Sequence, residues 1–451
     1  MRDLAGAARY LEGLINIERG SKEPTHRLSL EAISYLLARI GHPERRFAVL
    51  HIAGSKGKGS TALFAESLLL GRRQRVGTFT SPHLVSWTER FRIDGQAVDE
   101  ALLVSELATL VPYVEEMRRS GGSRTPSFFD VTTALALAIF ARVEVSYAEV
   151  EVGLGGRLDS TNVVAPGVPC NTSIELEHTD RLGTTLAAIA GEKAGIIKPS
   201  VPVVVGKLPD EAAAVVLDRA REVRAPTLRF GLDFGVRGLQ SDEAGVRAEL
   251  YHGAFRVAYR SALLGEHNAH NAAIALAATR TLGAGSAPEA SARALAETEL
   301  PGRIEVLSRS PYLVVDSAHT RASLDALSAV LEALPARERD FVLSFSSGKD
   351  PRALASLLPG ARRVTVTRAD PHRSIPPREL SRAIAGICPT CEIRVEEDPR
   401  RALRLAQSEM SAQDLLCATG SVYLAGIARG VFAGRRQSAR VGSSHRVRGE
   451  G

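Results

Sequence analysis

Apolar residues recur at helical spacing over Leu4–Ile15 and Leu28–Ile40, and then the pattern changes. A short apolar run, Arg46–Ile52, ends at a glycine-rich turn, and a helix is predicted from about Ser60 to Leu70. A strand at Arg75–Phe79, amphipathic helices at Glu100–Arg118 and Phe128–Ala141, and a strand at Val145–Val152 continue the alternation. Strands near Asn171–Ile174 and Val201–Val205 flank a helix at Thr185–Ala194. Strands alternating with helices imply a mostly parallel sheet covered by helices. Gly231–Arg260 differs, with the short alternating stretches of antiparallel strands. Helices at Ala269–Leu282 and Pro288–Glu297 lead to Pro301-Gly302, after which strands at Tyr312–Val315, Phe341–Phe345, Arg363–Thr367, Glu392–Val395 and Leu415–Ala418 form a second alternating series. The reading is an α/β protein of two domains, residues 1–298 and 299–433, with residues 434–451 a disordered basic tail.

Composition narrows the function. With 44% hydrophobic and 24% charged residues, the 451-residue chain has the balance of a folded globular protein rather than a disordered or collagen-like one. The longest apolar stretch, around Val131–Ala141, is shorter than the roughly 20 residues a membrane span needs. Met1–Tyr10 carries no apolar run behind its charge, so no secretory signal is read. Most of the net charge of +6 belongs to Gly434–Gly451, where five arginines face Glu450 alone. That is a solvated end, and no nucleic-acid partner is expected. Four cysteines make no disulfide framework; Cys388-Pro-Thr-Cys391 lacks the second pair of a zinc site, and the cytosol is the expected compartment. Lysines are few, at positions 22, 56, 58, 193, 198, 207 and 349. A retained Lys in so Arg-rich a chain points to a need for an amine, since a guanidinium neither loses its proton nor acts as a nucleophile.

Three segments carry chemistry. Gly54-Ser55-Lys56-Gly57-Lys58-Gly59-Ser60 sits between a strand and a helix. Glycines let backbone N–H groups wrap a phosphate at a helix N-terminus, Lys58 adds a mobile cation, and Ser60 can give an oxygen to a phosphate-bound Mg²⁺. Glu151-Val-Gly-Leu-Gly-Gly-Arg-Leu-Asp-Ser-Thr-Asn162 ends an apolar strand, where a carboxylate beside a phosphate loop suits a Mg²⁺ ligand. Ile174-Glu-Leu-Glu-His178-Thr-Asp-Arg-Leu-Gly183 places a histidine just after the next strand. A lone His is more often a hydrogen-bonded structural residue, and only its neighbouring motifs raise His178 to a ligand.

Together with TSPHL, SFFD, GEKAGIIKP, HNAHNAAIALAA, LPGRIEVL, VVDSAHT and CATGSVYL, these segments resemble, in order over residues 10–430, the folylpolyglutamate synthase/dihydrofolate synthase family of the Mur ligase superfamily. The resemblance implies an N-terminal P-loop ATPase domain and a C-terminal Rossmann-like domain with the active site between them. It implies ATP contacts from Ser55, Lys56, Gly57, Lys58, Gly59 and Ser60, and from Asn271, Arg303 and Asp316. Ser81, Glu151 and His178 would ligate Mg²⁺, while Ser127, Phe128, Phe129, Asp130, Leu158, Asp159 and Ser160 would line a pterin site. Lys58, Lys193 and His178 would be catalytic, and Lys193 would be carbamylated. Read from the residues alone, Lys193 is more readily a helix-surface lysine paired with a nearby acid, and only the resemblance tips it toward the carbamate.

The implied activity is ATP-dependent joining of L-glutamate to dihydropteroate or a reduced folate, in a cytoplasmic monomer. A carboxylate resists attack by an amine because oxide leaves poorly. Phosphorylation by ATP supplies a better leaving group, and cations offset the repulsion between the two anions. Two positions depart from the family: Lys56 and Thr320 stand where Asn is usual. They motivate an alternative, a nucleotide-binding paralogue with altered substrate or no ligase activity. A peptidoglycan Mur ligase would need a further N-terminal domain for its UDP-sugar substrate, and only 53 residues precede Gly54.

Overall fold

The computed structural model describes residues 2–15, 29–72 and 74–443, with side chains described to residue 433. Two compact units divide it: residues 1–240, 246–261 and 266–298 form the first, and residues 241–245, 262–265 and 299–451 the second. The first holds an eight-stranded sheet of β1 (Ala48–Ala53), β2 (Val76–Phe79), β3 (Phe91–Ile93), β4 (Gln96–Ala97), β5 (Tyr147–Glu151), β6 (Val168–Asn171), β7 (Val203–Val205) and β8 (Thr227–Arg229), in the order β4-β3-β2-β5-β1-β6-β7-β8. Pairing is parallel from β2 through β8, and β3 and β4 add an antiparallel edge.

Parallel strands are covered on both faces, so their side chains are buried on both sides and mostly apolar rather than alternating. In β1 every residue after Ala48 is buried. The helix Phe128–Arg142 is apolar nearly all round, and Ser127 and Asp130 close its start with a capping box. Leu135, Ile139 and Phe140 of that helix, Leu103, Leu107 and Val114 of the helix Glu100–Ser120, and Ile33 and Leu36 of Glu31–Arg39 share one core with Val150. A three-stranded sheet follows, made of β9 (Phe234–Asp242), β10 (Gly245–His252) and β11 (Phe255–Ser261), with β10 and β11 antiparallel.

The second unit has a six-stranded sheet, β12 (Glu305–Arg309), β13 (Tyr312–Val315), β14 (Arg339–Leu343), β15 (Ala361–Val366), β16 (Glu392–Val395) and β17 (Leu415–Thr419), ordered β12-β13-β17-β14-β15-β16. Only β12 runs antiparallel to its neighbour.

Several boundaries differ from the sequence reading. The strand expected at Asn171–Ile174 is Val168–Asn171, because the residues after it turn aside to brace the glycine-rich loop. The helix expected from Ser60 begins at Lys58, capped by Gly57 in a left-handed conformation. The last helix, Val422–Ser443, continues through residues 434–443, which the sequence reading assigned to a disordered tail. Arg, Gln and Ala are good helix formers and no proline interrupts them. Residues 444–451 of that tail, and residue 28 of the second expected helix, lie outside the described residues.

Candidate functional site

Four loops leave the carboxyl ends of four adjacent strands, β2, β5, β1 and β6. They carry Ser81, Glu151–Asp159, Gly54–Ser60 and Thr172–His178 respectively. An open α/β sheet binds ligands at such a point, where strand order reverses about β1.

The glycine-rich loop is built to be held from one side. Gly54 packs so closely on Thr172 that an added Cβ would lie 1.9 Å from Thr172 Oγ1. At Gly57, φ is +80° and an added Cβ would lie 2.3 Å from Asn271 Oδ1, on the helix His267–Thr281. The Lys56 N–H donates to Ser173 Oγ at 2.8 Å, Thr172 Oγ1 donates to the Lys56 carbonyl at 2.6 Å, and Ser55 Oγ accepts from the Glu175 N–H at 2.9 Å. Ser55 and the Lys56 amide therefore brace the loop. The amides from Lys58 to Ser60 are the ones this helix start presents to an anion.

Beside the loop lies a cluster of charge. Lys58 Nζ and Lys193 Nζ both donate to the Gly54 carbonyl, each at 2.9 Å. Lys193 also reaches Glu177 Oε1 at 3.1 Å, and Lys56 Nζ stands 3.5 Å from Glu177 Oε2. Burial of Glu177 opposes ionisation, but Lys58, Lys193 and Lys56 outweigh it and hold the carboxyl near 2. Lys193 is only 2% exposed, so it does not lie on the helix surface, although it does pair with an acid, Glu177. Burial, aided by the Lys58 charge and opposed by Glu177, lowers its pKa to about 8. A neutral amine is thus far more accessible there than on an ordinary lysine.

On the other side of the loop, Glu151 Oε2 accepts the Ser81 N–H at 2.9 Å, and an added Cβ at Gly59 would come within 3.3 Å of the same oxygen. The Glu151 carboxylate beside the glycine-rich loop is an oxygen donor of the type that fits a hard cation such as Mg²⁺. His178 follows β6 at a left-handed φ of 48°, heading the short helix Thr179–Leu182. Among the described residues, no cluster of three or more His, Cys, Asp and Glu side chains is assembled for a metal.

The pterin residues expected from the sequence divide into two groups. Asp130 accepts from Ser127 Oγ at 2.7 Å and from Ser160 Oγ at 2.6 Å, which ties the start of the helix Phe128–Arg142 to the loop after β5. Asp159 takes the Leu154 N–H at 2.8 Å and the Thr161 N–H at 3.0 Å. Burial, against these bonds, pushes its pKa up to about 6. Phe129 covers Gly153 in that same loop, whereas Phe128, 1% exposed, packs edge-on to Trp87 as part of the core. Leu158 is half-buried next to Asp159.

Comparison with known proteins decides the family. Residues 52–279 match the Mur ligase middle domain and residues 302–422 the Mur ligase, glutamate ligase domain. A dihydrofolate synthase/folylpolyglutamate synthase from Mycobacterium tuberculosis is 34% identical over 442 residues, covering 90% of each chain. One from Bacillus subtilis is 31% identical over 87% of this chain and 92% of its own. The chain belongs to the dihydrofolate synthase/folylpolyglutamate synthase family. It spans half the length of a longer relative from Halobacterium salinarum, 34% identical over 92% of this chain. Folylpolyglutamate synthase from Mycobacterium tuberculosis, solved with ADP and AMPPCP, superposes with a TM-score of 0.87 at 32% identity, covering 95% of this chain and 98% of that one. An Escherichia coli structure in complex with DHPP and ADP gives 0.82 at 29% identity, covering 96% and 98%. The two α/β units have the Mur ligase fold.

The second unit carries Arg303 and Asp316, which the sequence reading assigned to ATP. Asp316 follows β13 and accepts the N–H groups of Ile304 at 2.8 Å and Ala318 at 2.6 Å; burial raises its pKa against those bonds. The Arg303 guanidinium donates to Ser317 Oγ. Thr320 caps the helix Arg321–Ala333 by pairing with Ser323 Oγ at 2.8 Å. Sequence reasoning missed Glu177, Thr172 and Ser173. Their signal was present only as polar residues immediately after a strand, in a segment where His178 drew the attention.

Proposed function

We propose that this chain is an ATP-dependent ligase that joins L-glutamate to dihydropteroate, to reduced folates, or to both, through an acyl phosphate. The observation that carries the reading is the convergence of Lys58 and Lys193 on the Gly54 carbonyl at the mouth of a loop braced by Thr172 and Ser173. Lys58 is placed there for a polyanion, with the buried amine of Lys193 beside it. Lys58 is the cation we assign to the transferred phosphate, and the amides of Gly57–Ser60 cradle its neighbours. The acceptor carboxylate attacks the γ-phosphorus and ADP leaves. The glutamate amine then attacks the acyl carbon, and phosphate leaves as the amide forms.

Ser127, Asp130, Asp159 and Ser160 would hold the pterin end, with Phe129 and Leu158 as apolar walls. Asn271, Arg303 and Asp316 would complete the ATP contacts. Ser81 and Glu151, with His178, would hold Mg²⁺, which supplies charge neutralisation to the phosphates when bound. Lys193 is the amine we assign to CO₂ addition, for which its lowered pKa is the enabling property. We place the reaction in the cytoplasm and in a monomer; no described helix is long and apolar enough to cross a membrane.

The test is ADP release from ATP with dihydropteroate or tetrahydrofolate, each with and without L-glutamate. ADP release that needs both a pteroate acceptor and glutamate is expected. Release indifferent to both, or none, would leave a nucleotide-binding paralogue as the better reading, with Lys56 and Thr320 as its marks.

A further inference from the structure

Behind the loop after β5 a line of buried side chains runs back into the sheet. His51, in the middle of β1, is wholly buried, and its Nε2 stands 2.8 Å from Thr161 Oγ1. Thr161 Oγ1 in turn donates to Asp159 Oδ1, which also accepts the Thr161 N–H. A hydroxyl has one proton to give. Since Thr161 gives its proton to the carboxylate, it must accept from His51, which fixes the imidazole with its proton on Nε2. The opposite nitrogen, Nδ1, is buried and has no hydrogen-bond partner among the described residues. An imidazole with one nitrogen left unsatisfied inside a sheet is an expensive way to fill space, since a buried polar atom without a partner destabilises the fold. An apolar side chain of similar size would avoid that cost. The bond to Thr161 is what the histidine adds.

We propose that His51, acting through Thr161, is a positioning residue that holds the Asp159 carboxylate in the orientation that receives the pterin ring. The inference rests on the proposed function, which places Asp159 against the substrate. Its physical content is directional. With His51 donating to it, the Thr161 hydroxyl cannot turn away, so Asp159 Oδ1 stays engaged while Oδ2 remains on the Leu154 N–H. The carboxylate plane is then set before substrate arrives, and a pterin, whose amino and ring N–H groups are donors, meets an acceptor that needs no reorganisation. Released from Thr161, Asp159 would keep its backbone bonds but lose that fixed plane.

Thr161→Val removes the hydroxyl at nearly constant shape, whereas Thr161→Ser keeps it. The parent is assayed first for pteroate- and glutamate-dependent ADP release. If the parent shows none, the functional reading falls and this inference with it. With an active parent, Thr161→Val is expected to raise KM for dihydropteroate about tenfold, with kcat and KM for ATP within about twofold, and Thr161→Ser should match the parent. His51→Phe should reproduce the shift, and the His51→Phe/Thr161→Val double variant should add nothing to it. A Thr161→Val enzyme with parental KM, a Ser variant as impaired as the Val, or an equal loss against both substrates would overturn the positioning role while leaving the proposed function intact. Should His51→Phe fail to fold, the Val and Ser pair decides alone.

Discussion

Lys58 and Lys193 crowd two positive charges onto the oxygen of Gly54, and only one of them faces a soluble partner. Lys58 is half-buried at the start of its helix, so Lys58→Ala is expected to lower kcat at least a hundredfold, the scale seen when one charge-stabilising donor is removed, with Tm unchanged. Turnover within about tenfold of the parent, or roughly 1.4 kcal/mol of barrier, would contradict the phosphate role. Lys193→Ala should lose activity and Lys193→Arg should not restore it, because a guanidinium cannot add CO₂. A fully active Arg variant would end the carbamate assignment. Asp159 makes a pH prediction. Its pKa of about 6 means the carboxylate is ionised and able to accept N–H groups above pH 6, and is progressively occupied by a proton below it. KM for dihydropteroate should therefore climb as pH falls through 6, by about tenfold per unit at the limit, and Asp159→Asn should abolish that dependence. Sequence alone named these residues because each sits in a contiguous motif. Glu177 escaped it because its significance comes from three lysines drawn from two separate segments, a meeting that spacing along the chain does not encode.

At the scale of elements, the alternation of strands and helices was legible because buried parallel strands read as short apolar runs between amphipathic helices. Four strands were not. β3, β4, β8 and β12 are short or partly exposed, and three of them pair antiparallel, so they carry neither the apolar density nor the helix-bounded spacing that marked the others. The misplaced end of β6 has a more interesting cause. Thr172, Ser173 and Glu175 continue a β-like composition but give their polar groups to the phosphate loop. The loop and its brace are one device, which Gly57 tests. Gly57→Ala forces a side chain into a left-handed conformation and against Asn271, a strain of about 1–3 kcal/mol. It should raise KM for ATP at least tenfold and lower Tm, while KM for the pteroate stays near the parent value. A Gly57→Ala enzyme with parental KM for ATP would mean that the loop does not wrap the nucleotide.

Across the whole molecule, both units carry mostly parallel sheets with named residues at the carboxyl ends of strands, Glu151 as the last residue of β5 in one and Asp316 just after β13 in the other. The first unit carries Lys58, Lys193, Glu151 and Asp159, and the second carries Arg303 and Asp316. What the account claims of the entire chain is one coupled reaction, in which breakage of the γ-phosphate bond is tied to formation of an amide. The most direct measurement is mass spectrometry of the pterin product together with the nucleotide product, after incubation with ATP, L-glutamate and dihydropteroate or tetrahydrofolate. The predicted result is a product heavier by one glutamyl residue, formed in step with ADP and phosphate. Glutamylation accompanied by AMP and pyrophosphate, or ADP formed with no glutamylated product, would contradict it.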